Sequence, residues 1–178
     1  MNSNRPLFDF FDRWSKEFTY DLSQPANSEF ARLSDTMGWT KTCDAKENAY
    51  REFKDALTKQ FNFNYGTDEN CFESWKLLCV NIGIDPVPDT LEAVRKVVKK
   101  TYVNLVDLTD GFEGGRKIPV FQTELALSKY TKLNKRVFPR GNAHAGGLLK
   151  HLLRRIRAPP QHSPAPGVSR ARKRRSGS

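Results

Sequence analysis

Apolar residues recur at spacings of three and four along most of the chain, and this pattern is what most constrains the fold. Near the start, Phe11, Trp14 and Phe18 lie on one stripe, which is the period that an α-helix turns into a single face. Similar stripes run through residues 27–37, 45–61, 71–82, 91–98, 123–137 and 142–156. The sequence therefore predicts an all-α fold, a single compact domain of six to seven short helices.

Residues 101–108, TYVNLVDL, fit two structures. Their β-branched residues suit a strand, whereas Tyr102, Leu105 and Leu108 continue the apolar face of the preceding helix. A lone strand leaves backbone groups unpaired, and no second convincing strand is found to pair with it. We therefore expect a helix here, followed by a turn and a short extended piece at residues 118–121.

The composition changes at Ala158. Residues 158–178, called the tail below, are rich in Pro, Ser, Gly and Arg and contain only one bulky aliphatic residue, Val168. Such a segment cannot bury enough apolar surface to offset the entropy lost on ordering. The sequence predicts a flexible N-terminus at residues 1–5, a helical domain at residues 6–157 and a disordered Pro/Ser/Arg-rich basic tail.

Charge divides the chain more sharply than hydropathy does. The 178 residues contain 30 Lys and Arg and 20 Asp and Glu. Residues 125–178, called the basic third, hold fourteen of the cations and none of the acids, so this segment sums to +14 and the preceding 124 residues to −4. A long run of one sign is typical of a segment that contacts an anionic polymer.

The basic third combines a folded part and the tail. In the folded part we interpret Tyr130 and Phe138 as core residues and the cations between and around them as a surface that contacts phosphate. The candidate nucleic-acid-binding residues are Lys129, Lys132, Lys135, Arg136, Arg140, Lys150, Arg154, Arg155 and Arg157.

The tail ends in a dense cluster of cations within the segment SRARKRRS. Such a cluster is typical of a signal read by a nuclear import receptor, and it also suits an anionic polymer. Ser163, which precedes Pro164, and Ser176 are candidate phosphorylation sites, where phosphate would cancel part of the charge. The candidate import signal consists of Arg170, Arg172, Lys173, Arg174 and Arg175.

Four motifs along the domain carry a resemblance to known sequences. They are FxxFxxW at residues 8–14, EFxRLxxxxGW at 29–39, YVNLVDL at 102–108, and YT, FP and GGLLKHLLRRI between residues 130 and 156. Together they resemble an uncharacterised family of fungal proteins. Some members of that family are associated with zinc-finger regions of the three-Cys, one-His type, so the resemblance implies a fungal source and a nucleic-acid context, and it supplies no catalytic residue.

Residues suited to metal binding or catalysis do not fall at the required spacings. Cys71 and Cys79 are eight apart and His144 and His151 seven apart, whereas structural zinc sites use pairs two to four residues apart. The carboxylates Asp107 and Asp110 form an i, i+3 pair, which most often marks a solvated helix end. We therefore expect no metal, no cofactor and no enzymatic activity.

The N-terminal segment and the cysteines bear on location. Asp9 and Asp12 interrupt the apolar residues of the N-terminal segment, so no secretory signal is formed. An odd set of three cysteines is typical of reduced thiols, and no apolar run reaches the length of a membrane helix. We expect a non-enzymatic nuclear module that is neither secreted nor bound to a membrane and contacts nucleic acid or chromatin through its basic third. The alternative is a protein-protein interaction adaptor whose tail serves only nuclear import, and the alternative location is the cytoplasm.

Overall fold

The computed structural model describes residues 5–114, 117–142 and 144–153. Residues 1–4 and 154–178 lie outside this part of the chain. Of the predicted flexible N-terminus only Arg5 is therefore described, and the predicted disordered tail lies wholly outside the described residues. The all-α prediction is confirmed, since the described residues form eight helices and one two-stranded sheet. The helices are α1 (Pro6–Asp12), α2 (Ala26–Thr36), α3 (Asp44–Tyr65), α4 (Phe72–Ile82), α5 (Leu91–Lys100), α6 (Leu105–Gly114), α7 (Glu124–Leu133) and α8 (Gly147–Leu152).

Aromatic rings pack α1 and α2 against α3. Phe53 of α3 lies at the centre, with ring centroids 5.6 Å from Phe10, 6.0 Å from Phe11 and 4.8 Å from Phe30. Helix α1 starts at a proline, whose fixed φ suits the first helical position. It ends at Asp12, earlier than the apolar stripe predicts, because the chain then turns through residues 13–17 and brings Phe18 back into the core.

Helices α4 and α5 form the next layer, and α6 lies against α3 and α4. The side chains of Trp75, Leu78, Val94 and Val98 are fully buried there. Gly83 ends α4 in the left-handed region with φ of 81°, a conformation that glycine adopts without a Cβ clash. Helix α5 begins at Leu91, after Thr90, whose side chain accepts a hydrogen bond from the amide of Ala93 and so caps the helix.

The prediction of a helix throughout residues 101–108 is wrong for its first half. Tyr102–Val103 forms strand β1, which pairs antiparallel with strand β2, Val120–Phe121. The extended piece predicted at residues 118–121 thus supplies the missing partner. The switch to helix occurs at Asn104, whose Oδ1 accepts hydrogen bonds from the amides of Val106 and Asp107 and so caps α6.

Helices α7 and α8 are shorter than their stripes predict. Helix α7 ends at Leu133, and Lys135 then adopts a positive φ of 53°, which turns the chain away from the helix axis. Helix α8 begins at Gly147 rather than at Asn142, and it buries Leu148, Leu149 and Leu152. A Cβ on Gly146 would lie 2.8 Å from the Cβ of Thr67, so the absence of a side chain lets the start of α8 approach this loop closely.

Candidate nucleic-acid interface

Residues 134–142, called the groove loop below, connect α7 toward α8 and are held by buried polar groups. Asn104, between β1 and α6, holds the start of this loop. Its Nδ2 donates hydrogen bonds to Thr131 Oγ1 at 2.9 Å and to the carbonyl oxygen of Arg136 at 3.0 Å. The side chains of Asn104 and Thr131 are buried, and the two hydrogen bonds fix the groove loop to the start of α6.

Asp107 holds the same loop by charge. Its carboxylate pairs with the Arg136 guanidinium, and it accepts a hydrogen bond of 2.8 Å from the hydroxyl of Tyr130. Arg136 also donates to the Tyr130 hydroxyl at 3.0 Å. Burial, aided by the hydrogen bond to Asp107, raises the pKa of Tyr130, so the phenol stays protonated and keeps donating to the carboxylate.

Two further contacts hold the groove loop against α2 and α3. The Asn27 side chain donates a hydrogen bond of 2.8 Å to the carbonyl oxygen of Lys135. At the other end of the loop, Asn142 Nδ2 donates to Asp55 Oδ1 at 2.7 Å. The loop is therefore fixed at both ends, to α2 and α6 near its start and to α3 at its end.

The groove loop, the first half of α3 and the end of α8 surround a cavity of about 750 Å³, called the groove below. Its walls include the buried apolar side chains of Leu127, Phe138 and Leu152, and Asn104 contributes a polar group. Four cationic side chains and one carboxylate reach it. They are Arg51, Lys54, Arg136, Arg140 and Asp55.

The charges around the groove are not equivalent. Arg136 is paired with Asp107, so much of its charge is already compensated. Arg51 and Lys54 contact neutral groups: Arg51 donates to Asn48 Oδ1 at 3.0 Å, and Lys54 Nζ lies 5.0 Å from the centroid of the Tyr50 ring. Arg140 is exposed. The groove therefore presents a net positive field, to which Arg51, Lys54 and Arg140 contribute most.

The structure brings two of the predicted cations, Arg136 and Arg140, to the groove. Lys129, Lys132, Lys135 and Lys150 are exposed on α7, the groove loop and α8 and do not line it. The other candidates lie outside the described residues: they are Arg154, Arg155, Arg157, the import-signal residues Arg170, Arg172, Lys173, Arg174 and Arg175, and the serines Ser163 and Ser176.

Sequence reasoning missed the contribution of α3. Tyr50 falls on the apolar stripe of that helix and is predicted to be buried, yet 44% of its surface is exposed at the rim of the groove. Arg51 and Lys54 belong to a face of alternating charges, which predicts only a solvated surface. The available signal is the i, i+4 spacing of Tyr50 and Lys54, which places an aromatic ring beside a cation.

Asp107 and Asp110 are anchors with separate partners, and neither marks the solvated helix end that the sequence favours. Asp107 is 7% exposed and pairs with Arg136. Asp110 accepts a hydrogen bond of 3.1 Å from the amide of Ala26 at the start of α2. Their divergent contacts give no support to a pair of carboxylates that share a proton.

His151 has a carboxylate neighbour that its local sequence does not supply. Its Nε2 contacts the Glu69 carboxylate, and its ring centroid lies 5.7 Å from that of Trp75. Trp75 Nε1 donates a hydrogen bond of 2.7 Å to the carbonyl oxygen of Glu69. These contacts attach α8 to the loop before α4.

The described part of the chain holds neither a cluster of metal-ligating side chains nor a membrane-spanning helix. Within residues 5–114, 117–142 and 144–153, no cluster of three or more His, Cys, Asp or Glu side chains is placed to hold a metal ion. In the same part of the chain, no helix combines the length and apolar character needed to cross a bilayer.

Comparison with known proteins finds no matching family model, no similar curated protein and no similar solved structure.

Proposed function

We propose that the protein is a non-enzymatic nuclear module that binds nucleic acid at the groove and along the basic third. The observation that carries this proposal is the meeting of cations from two distant segments, Arg51 and Lys54 of α3 and Arg140 of the groove loop, around one concave surface. Asp55 is the only carboxylate among the described lining residues, and Asn142 donates a hydrogen bond to it. An anionic ligand would thus meet more positive than negative charge.

Phosphate is the anion for which such cations are suited. Each Lys or Arg that neutralises a phosphate releases condensed counterions. Each such contact therefore adds a slope of about −0.9 to a plot of log K against log salt for duplex DNA, and about −0.7 for single strands. Arg51, Lys54 and Arg140 supply three contacts of this kind. The exposed lysines Lys129 and Lys150 would extend the contact along α7 and α8.

The chain continues from the groove into more cations. Leu153, the last described residue, lines the groove, and Arg154 and Arg155 follow it directly in the sequence. The basic segment is therefore tethered at the groove itself. This connection supports a role for the folded and C-terminal cations on one ligand, in agreement with the nucleic-acid context that the resemblance to fungal proteins implies.

Equilibrium binding to duplex DNA and to RNA at about 50 and about 200 mM salt tests the proposal. We expect affinity at low salt that weakens steeply at high salt. A groove variant, Arg51→Gln with Arg140→Gln, should bind more weakly than a variant with the same loss of charge on α5, Lys96→Gln with Lys100→Gln. Absence of affinity at low salt, or equal weakening in both variants, would contradict it.

The nuclear part of the proposal rests on the tail. We expect tagged full-length protein to accumulate in the nucleus and to become cytoplasmic when Arg170, Arg172, Lys173, Arg174 and Arg175 are replaced by Gln. The same tail variant should bind nucleic acid more weakly but keep a salt-dependent affinity, because the groove cations are intact. Cytoplasmic full-length protein would refute the nuclear assignment.

An adaptor function is the second candidate, and exposed apolar side chains on α7 favour it. Leu133 is 84% exposed and Leu125 41% exposed, an arrangement that another protein could cover. The adaptor would bind a protein partner through these leucines and use its tail for import. A protein that fails to bind nucleic acid, and whose partner is lost on Leu125→Glu with Leu133→Glu, would favour this second function.

A further inference from the structure

We propose that the groove holds a single strand rather than a duplex, and that it contacts the bases without reading their sequence. This inference rests on the proposed nucleic-acid binding and specifies the class of nucleic acid. Three features of the groove carry it: its size, the exposed ring of Tyr50, and the hydrogen bonds already made by Asn104.

The size and shape of the groove favour an unpaired strand. Its volume of about 750 Å³ falls in the range of about 300 to 1,000 Å³ that is usual for small-molecule sites. A base inside a duplex cannot enter such a cavity unless it is first unstacked and unpaired. An unpaired base can enter directly, while the phosphates on either side remain at the cationic rim.

The groove also has the two components that single-strand sites use, cations along the backbone path and an aromatic ring for stacking. Arg51, Lys54 and Arg140 supply the cations. The Tyr50 ring packs against Phe30 and Phe53, at 5.4 and 6.4 Å between centroids, and 44% of the residue's surface is exposed at the rim. The Lys54 ammonium lies over this ring, 5.0 Å from its centroid, so a base would stack in place of the ammonium and leave Lys54 to bind phosphate. A base stacked on this ring would lie within the field of the neighbouring ammonium group.

Asn104, the buried amide in the groove wall, has all its hydrogen-bonding positions filled, which removes it from sequence readout. Asn104 donates both amide hydrogens, to Thr131 and to the carbonyl oxygen of Arg136, and its Oδ1 accepts two backbone amides. An asparagine side chain has four such positions, so Asn104 has none left for a base. With Arg51, Lys54 and Arg140 assigned to phosphate in this proposal, contact with the bases consists mainly of stacking and apolar contact, which accept all four bases.

Fluorescence anisotropy with full-length protein tests the inference on strands of about 20 nucleotides, which exceed the site size of a typical single-strand module. The probes are oligothymidine, oligoadenosine and a mixed-sequence duplex of the same length. We expect each single strand to bind at least about tenfold more tightly than the duplex, and the two single strands to differ by less than about tenfold, as for stacking without hydrogen-bond readout.

Substitution of Tyr50 separates stacking from charge. Tyr50→Leu keeps an apolar side chain against Phe30 but removes the aromatic face, so single-strand affinity should fall about 5- to 100-fold while duplex affinity is unchanged. Tyr50→Phe is the matched control and should bind like the parent protein. Circular dichroism melting of each variant checks that the fold is retained.

The possible failures are distinguishable. If the protein binds duplex as tightly as single strands, and the groove variant weakens both equally, the nucleic-acid proposal stands and the single-strand inference is wrong. If Tyr50→Leu binds single strands as tightly as the parent protein does, stacking on Tyr50 is refuted while the proposed nucleic-acid binding stands. If no probe binds at about 50 mM salt, where phosphate contacts are strong, both the proposed function and this inference are overturned.

Discussion

Helices α1 to α3 are packed together mainly by aromatic rings, whereas the groove loop is held mainly by polar contacts. Around Phe53 the helices are joined by stacked and edge-on rings, with few polar atoms involved. The groove loop is joined to the same body by Asn104, Asp107 and Asn142, whose contacts are hydrogen bonds and one ion pair. Apolar packing spreads its energy over many small contacts, whereas the groove loop is held by one buried ring, Phe138 packed edge-on against Phe61, and by a handful of directional bonds.

This difference indicates how substitutions should act. A change in the aromatic region should lower the stability of the whole domain, because these rings are shared by three helices. A change in the polar contacts should move or loosen the groove loop. It should therefore affect binding at the groove even where the free energy of unfolding changes little.

Removal of a central ring should have the largest effect. Phe11 is fully buried, and Phe11→Ala should lower the free energy of unfolding by about 3 to 5 kcal/mol through lost burial and a residual cavity. Phe63→Ala, at a site 54% exposed in α3, is the control and should cost less than about 1 kcal/mol. Urea unfolding measures both; similar losses would refute the description of the core.

Asp107 should affect the groove from a distance. Asp107→Asn removes the charge that holds Arg136, and we expect a loss of about 2 kcal/mol in the free energy of unfolding. Amides of residues 134–142 should exchange faster, although Asp107 does not line the groove. Asp89→Asn, at an exposed position, is the control. Unchanged exchange in the groove loop would show that the ion pair does not position it.

Gly146 and Gly147 form a matched pair at the start of α8. A Cβ at Gly146 would lie within 2.9 Å of the backbone of Thr67, whereas one at Gly147 would meet only the Glu69 side chain at 3.3 Å. Gly146→Ala should therefore cost about 1 to 3 kcal/mol, as overpacking does. Gly147→Ala should be close to neutral, since the gain in helix propensity offsets the contact. Equal thermal stability of the two variants would contradict the close approach.

Substitution of Tyr65 should change the free energy of unfolding least, and the change should depend on pH. Its hydroxyl donates a hydrogen bond of 3.0 Å to the carbonyl oxygen of Leu108, and burial raises its pKa well above the ordinary value of 10. As pH rises, the unfolded chain loses the Tyr65 proton before the folded chain does. The stability that this difference in pKa contributes is therefore complete below about pH 10 and falls above it, with a loss of about 1.4 kcal/mol in the free energy of unfolding at pH 11.

Tyr65→Phe should separate these two effects of the hydroxyl. At neutral pH the variant should be less stable by about 1 kcal/mol, the net worth of one hydrogen bond. Between about pH 9 and 11 it should lose less stability than the parent protein, because it lacks the titrating group. Urea unfolding at both pH values measures the difference, and an equal alkaline loss in the two proteins would contradict the assigned cause.

The sequence predicts the helices well where one face alone determines them. The stripe of α3 appears as expected, since it depends on residues three or four positions apart. Strand β1 was not predicted, because its partner at Val120–Phe121 is about 18 positions away and only the folded chain brings them together. Helix lengths were overestimated for α1, α7 and α8, where tertiary contacts turn the chain before the stripe ends.

The groove was only partly predictable for the same reason. Arg136 and Arg140 belong to an obvious basic segment, but nothing near Arg51 or Lys54 indicates that α3 faces that segment. The joining contacts link residues far apart in the sequence, such as Asn142 with Asp55. Local periodicity and charge counts carry no information about such pairs, and Arg136 becomes an ion-paired anchor only because the fold places Asp107 beside it.

Hydrogen-deuterium exchange of the full-length protein, with and without a saturating single strand, tests most directly whether the groove is the binding site. We expect protection of backbone amides in residues 134–142 and in the loop before α8, with smaller changes at Tyr50 to Asp55 because α3 is already hydrogen-bonded. The aromatic region around Phe53 should not change. Binding of the strand without protection in residues 134–142 would contradict the proposal that nucleic acid occupies the groove.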